Sequence, residues 1–167
     1  MLKTLSTEEL KILLSLEENA NQSIEALALK CNIPKEEISK IKTSLETDGV
    51  IVKYKALINW EKIESTEVTA IIEVTVMLEE GYGYDEVAKK IAQFSEVSTL
   101  LLVSGSFDLL LEVSGPSLKD VSFFVADKLA TIKGVQHTRT NFLLKRYKQA
   151  GDLLMVTSKT HRLPMMV

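Results

Sequence analysis

The stretch Val97-Ser98-Thr99-Leu100-Leu101-Leu102-Val103-Ser104-Gly105-Ser106-Phe107-Asp108-Leu109-Leu110-Leu111-Glu112-Val113 consists of two apolar runs joined by a short polar connection. Each run has strand length, and Gly105 to Asp108 carries residues that turns favour, so the segment predicts a hairpin. Upstream, Glu67 to Leu78 places Val68, Ala70, Ile72, Val74 and Val76 at every second position, the period of a half-buried strand. Ile71 and Met77 suggest that its second face is also partly covered. Glu79-Glu80-Gly81-Tyr82-Gly83 reads as a turn, and Asp85 to Phe94 carries Val87, Ile91 and Phe94 at helical spacing. Downstream, Gly115-Pro116-Ser117 punctuates the chain, and Ser117 is placed to cap a helix facing Val121, Phe124, Val125 and Leu129 inward. Lys133-Gly134 ends that helix, and Val135 to Tyr147 reads as a long last strand with Thr138, Thr140, Phe142 and Leu144 on one face. The order β-α-β-β-α-β predicts a ferredoxin-like domain over 66–148, an antiparallel four-stranded sheet with both helices on one face. The other face is expected to be apolar and covered by a second subunit, which predicts a homodimer or higher homo-oligomer. Residues 149–167 read as a tail, loose or docked on a partner.

Ahead of that domain, residues 1–52 predict three helices. Ser6-Thr7-Glu8-Glu9 has the form of a capping box, and Leu10, Leu13 and Leu14 follow on one helical face that Ile12 and Leu16 widen. Ser23 caps a short second helix carrying Ile24, Leu27 and Ala28. Asn32 tolerates a left-handed turn, and Pro34 suits the first turn of a third helix with Ile38, Ile41 and Leu45 inward. Asp48-Gly49 stops it, and Val50 to Ile58 is β-rich, as a wing or an outgoing strand would be. A long helix, a short helix, a tight turn and a third helix fit helix-turn-helix geometry, although other three-helix bundles share that order. The fold class is thus α+β, an N-terminal winged helix-turn-helix followed by a ferredoxin-like domain, with 53–65 as linker strand and hinge. Trp60 is expected to pack where the two domains meet.

Charge narrows the function. The net charge is −3, with 9 basic against 10 acidic residues up to Lys62 and 11 against 13 after it. A protein that coats nucleic acid by bulk positive charge is excluded, so DNA contact must come from a few placed lysines. Those on offer are Lys35, Lys40 and Lys42, with Thr43 beside them and Lys53 beyond the third helix. The one cysteine, Cys31, excludes an internal disulfide and fits a small buried hydrophobe; His137 and His161 stand apart from any ligand cluster. No metal or cofactor is expected. No apolar run reaches the roughly 18 residues of a membrane-crossing helix, and the start of the chain lacks a signal-peptide core, so a cytoplasmic location and no membrane partner are expected.

From Leu5 to Tyr147 the chain resembles the Lrp/AsnC (leucine-responsive, or feast/famine) family of transcription regulators. Ser23-Ile24-Glu25-Ala26-Leu27-Ala28 resembles the family's second helix, and Leu45-Glu46-Thr47-Asp48-Gly49-Val50-Ile51 its recognition-helix exit. Val103 to Asp108 resembles the effector loop, with its Gly-x-aromatic-Asp pattern, and Thr138-Arg139-Thr140-Asn141-Phe142-Leu143-Leu144-Lys145 the last strand. Each is short; together and in order they are specific. The resemblance implies a dimer built through the C-terminal sheets, often assembled further, double-stranded DNA as partner, and an amino acid as small-molecule effector bound near subunit interfaces. The recognition helix departs from the family pattern. Lys40 stands where an arginine is common, and Ile41 and Ser44 replace others, which points to weaker or less specific binding or to reliance on avidity.

For the effector, Asp108 is suited to an ammonium group, while backbone N–H groups near Gly105 and the Thr138 and Thr140 hydroxyls suit a carboxylate, with Phe107 in the same loop. The plain alternative is that Gly105 to Asp108 is an ordinary hairpin turn. Two other functions compete. Some enzymes that decarboxylate a modified tetrapyrrole resemble this two-part architecture, but Arg139, Arg146 and Arg162 are the only arginines available to line such a pocket. A co-regulator that joins mixed oligomers and barely binds DNA is the other.

Overall fold

A computed structural model describes residues 3–64, 66–79 and 83–155. The middle of the Glu79–Gly83 turn, His161, Arg162 and the end of the tail lie outside the described residues. The chain divides into two compact units, Met1–Ile58 and Asn59–Val167.

The first unit holds three helices, α1 (Thr7–Glu18), α2 (Ile24–Cys31) and α3 (Lys35–Thr47). The capping box at Ser6 closes in both directions: its hydroxyl accepts from Glu9 N–H, and the Glu9 carboxylate accepts from Ser6 N–H. Ser23 caps α2, and Asn32 ends it at φ 55°, the left-handed conformation that asparagine tolerates. Pro34 precedes α3, and Gly49, at φ +70°, leads out of it. Ile12, Leu16, Leu27, Cys31, Ile33 and Ile38 make the core. The inward face of α1 differs from the Leu10, Leu13, Leu14 stripe. Ile12, Ser15 and Leu16 are buried, while Leu14 is 56% exposed and Leu10 is also open. The reason is that α2 and α3 both pack on one side of α1, where the Gln22 amide donates to the Ser15 carbonyl at 2.7 Å. The strand expected over Val50 to Ile58 also differs: residues 52–58 pair with no strand among the described residues. Tyr54 instead turns back onto α3, where its hydroxyl donates to Glu46 at 2.8 Å.

The second unit is the expected ferredoxin-like sheet, β1 (Val68–Val76), β2 (Val97–Leu102), β3 (Leu109–Gly115) and β4 (Val135–Phe142), in the order β2-β3-β1-β4. Helices α4 (Tyr84–Ile91) and α5 (Leu118–Phe123) cover one face. Ala70, Ile72, Val74 and Val76 of β1 and Leu109, Leu111 and Val113 of β3 are buried beneath them with Val87, Ile91, Val121, Phe124 and Leu129. Beyond Phe123 the helix continues as a π-helical turn, Phe124–Leu129, which spaces the buried Phe124 and Leu129 five residues apart.

Three expectations are corrected here. The last strand ends at Phe142, not Tyr147, and Leu144 is 95% exposed. The uncovered sheet face is mixed, with Ile71, Leu101 and Leu110 set among Glu73, Glu112, Arg139 and Asn141. There the Arg146 guanidinium donates to Glu112 at 2.7 Å, and Asn141 donates to Glu73. The described part of the tail is held by its own unit. Two-residue strands β5 (Lys148–Gln149) and β6 (Asp152–Leu153) pair across Ala150 and Gly151, both at positive φ as a tight hairpin requires. Leu154 behind them is buried, and its carbonyl accepts from Asn59. Trp60 stands in a 3-10 turn over Trp60–Lys62.

The two faces of β1 set an expected contrast in stability. Ile72 is fully buried, so Ile72→Ala should lower unfolding free energy in urea by about 2–5 kcal/mol. Ile71, half-buried on the opposite face, should lose clearly less in the same measurement. Equal losses would mean that the face carrying Ile71 is buried as fully as the helix-covered face.

Candidate nucleic-acid interface and effector loop

On α3, Ile38 and Leu45 are committed to the core, which turns Lys40, Thr43, Ser44 and Thr47 outward together at i, i+3, i+4 and i+7. With Ser39 and Asp48 they line an open groove of about 520 Å³. Lys40 makes no ion pair among the described residues. Lys53 is likewise exposed. The structure brings Lys40 and Thr43 together, but it places Lys35 and Lys42 differently. Lys35 pairs with Glu25 of α2 at 3.2 Å. Lys42 lies 4.8 Å from the centre of the Tyr54 ring and 4.0 Å from Glu46. Burial of the phenol against α3, then its hydrogen bond to Glu46, pushes the Tyr54 hydroxyl up to about 12. Glu36 and Glu37 sit in the first turn of α3, where the helix dipole favours them. The hydroxyls of Ser39 and Thr47 are absent from the sequence reading; their place beside Lys40 on the outward face of α3 is the signal that finds them.

The candidate effector loop is tied down by hydrogen bonds at Asp108. Asp108 N–H donates to the Val74 carbonyl, and Val103 N–H donates to the Asp108 carbonyl. One carboxylate oxygen of Asp108 accepts from Val76 N–H at 2.8 Å; the other accepts from the Tyr84 hydroxyl at 3.2 Å. That hydrogen bond raises the Tyr84 hydroxyl above its ordinary range. Asp108 therefore ties the start of β3 to the end of β1 and the first residue of α4. Tyr84 escaped the sequence reading because it stands between the turn and the helix and belongs to no apolar stripe. Phe107 is half-buried, and a Cβ on Gly105 would meet nothing within 4 Å.

The two threonines are placed apart from the loop. Thr138 and Thr140 stand opposite Val74 and Ile72, so their side chains share the helix-covered face of the sheet. Strand β1 separates them from β3, about 10 Å away at two strand spacings. No hydrogen bond joins them to Gly105, Phe107 or Asp108 among the described residues. No helix among the described residues is long and apolar enough to cross a membrane, and no group of His, Cys, Asp or Glu among them is arranged to hold a metal ion.

Comparison with known proteins covers both units. Residues 69–153 match the model of the Lrp/AsnC ligand binding domain. An HTH-type transcriptional regulator of Bacillus subtilis, YugG, is 43% identical over 150 residues, which is 89% of this chain and 90% of that one. The leucine-responsive regulatory protein of Haemophilus influenzae is 29% identical over 154 residues, covering 92% of each chain. A transcriptional regulator of Neisseria meningitidis, solved as a complex with L-methionine, superposes with a TM-score of 0.68 at 26% identity, over 87% of this chain and 94% of that one. The leucine response regulatory protein of Mycobacterium tuberculosis shares the fold, with a TM-score of 0.73 at 18% identity over 90% of this chain and all of that one. With a matched ligand-binding domain, and with relatives aligned through the three-helix unit as well, the chain belongs to the Lrp/AsnC family of HTH-type transcriptional regulators.

Proposed function

We propose that this regulator binds double-stranded DNA through α3 and is modulated by an amino acid held at subunit interfaces of a homo-oligomer. The observation that carries the DNA reading is the outward face of α3, where Lys40, with no ion pair among the described residues, stands beside Thr43, Ser44 and Thr47. Lys40 and Thr43 make the central contacts. Lys53 adds a phosphate contact from the linker over 53–65, and Lys35 and Lys42 contribute from the flank after exchanging their own acidic partners. An amino-acid effector is supported by the methionine complex of the Neisseria meningitidis relative. The effector site consists of Gly105, Phe107 and Asp108, with Thr138 and Thr140 serving a more distant part of the ligand or of a neighbouring subunit's site. The Asp108 carboxylate keeps lone pairs beyond those used by Val76 and Tyr84, and these receive the ammonium. The regulator names of the relatives favour this binding role over tetrapyrrole decarboxylation. The protein works in the cytoplasm, where its DNA is.

Three measurements test this reading. Lys40→Ala should weaken binding to every duplex sequence alike and reduce the dependence of log affinity on log salt by about one unit. Unchanged affinity and slope would remove α3 as the reader. Ile71, Leu101 and Leu110 give the uncovered sheet face its apolar strip, so light scattering at micromolar concentration should report at least twice the mass of one chain. A monomer mass rules out the interface. For the effector, Asp108→Asn keeps an acceptor for Val76 N–H but removes the charge. Calorimetry should show an amino acid, methionine among those titrated, bound by the wild type and bound at least about tenfold more weakly by the variant. If none of the twenty binds at millimolar concentration, or the variant binds equally, the site is elsewhere.

A further inference from the structure

The groove along α3 ends at Asp48, the residue that terminates the helix. A helix C-terminus already carries the negative end of the backbone dipole, so a carboxylate there adds to a field that repels phosphate. Lys3 reaches this point from the other end of the unit. Its ammonium lies 2.7 Å from the Asp48 carboxylate and 2.9 Å from that of Glu9, and the Ser44 hydroxyl donates to the same Asp48 oxygen at 3.4 Å. Glu9 is fixed independently, because its other oxygen accepts from Ser6 N–H in the capping box. Hydrogen bonds to Lys3 hold both carboxyls below their ordinary range, and the same bonds hold the Lys3 ammonium above its own. Exposed pairs of this kind contribute little to stability, so fold maintenance is a weak account of the arrangement. Its larger consequence is charge. Two acids and one lysine sum to −1 at the exit of α3; without Lys3 they sum to −2.

We infer that Lys3 is a positioning residue for DNA binding, acting through Asp48: it offsets the carboxylate that Asp48 presents to the α3 groove and so lets a duplex lie along the full helix face. This rests on α3 being the DNA reader. Lys3 is not itself the phosphate contact in this account, since its ammonium is already shared between two acids.

The test is a four-variant cycle of full-length protein, with a mixed-sequence duplex as the probe and fluorescence anisotropy read across a range of salt. Lys3→Met should weaken binding by about three- to tenfold at low salt, with the loss shrinking as salt rises. Asp48→Asn, which breaks the same ion pair, should bind as tightly as wild type or more tightly. The double variant restores the local charge sum and should return to within about twofold of wild type. A purely structural bridge would instead weaken both single variants and the double. A direct phosphate contact by Lys3 would leave the double as weak as Lys3→Met. Either pattern, or wild-type binding by Lys3→Met, overturns the inference. Lys40→Ala measured alongside identifies which premise failed: if it weakens binding while Lys3→Met does not, α3 stands as the reader and only the role of Lys3 falls.

Discussion

Ala70, Ile72, Val74 and Val76 are all withdrawn from water, so β1 has one admissible register against each neighbour. A slip of one residue would carry Glu73 and Thr75 into the core and expose the whole apolar set. That constraint reaches well beyond the strand. It sets Leu109 opposite Val74, which puts Asp108 just past the paired region, with its carboxylate at Val76 N–H. It also sets Thr138 opposite Val74 on the other side, which fixes the threonines to the covered face. The geometry of the candidate effector loop and its distance from β4 thus follow from which side of one strand stays dry.

The sheet and most of the helix ends could be read from the sequence because they are written in local signals. Alternation along 68–76, the caps at Ser6, Ser23 and Ser117 and the left-handed Asn32 each act over a few residues. What escaped depends on neighbours distant in the chain. The leucines of α1 form a broad apolar arc, and only the docking of α2 and α3 decides that Ile12 and Leu16 go inward while Leu10 and Leu14 do not. Residues 50–58 have strand composition, but a strand also needs a partner edge, and within one chain Tyr54 finds Glu46 instead. The candidate site divides in the same way. Lys40 and Thr43 follow from helix phase, whereas the commitment of Lys35 to Glu25 and of Asp108 to Tyr84 required three-dimensional contacts.

The charge distribution frames the functional reading. Much of the positive charge of the first unit is spent within it: Lys3, Lys30, Lys35 and Lys42 all face acids of the same unit. A single three-helix unit therefore presents a modest attraction for DNA. In an oligomer, two or more chains joined through their sheets would multiply that attraction, because the second contact forms at the high local concentration set by the first. Control by a ligand then needs no change within α3; a change in how subunits are held suffices.

The π-helical turn after α5 sets how this helix tolerates a change in length. Buried positions Phe124 and Leu129 are five apart there, while Lys128, at the spacing an α-helix would use, lies on the surface and pairs with Glu96. The turn therefore accommodates one residue more than regular winding would, with the helix ends still seated on the sheet. A homologue one residue shorter at this point would wind as a plain α-helix between the same two anchors. Loss of a residue, usually ruinous inside a packed helix, would be absorbed there by a change of pitch.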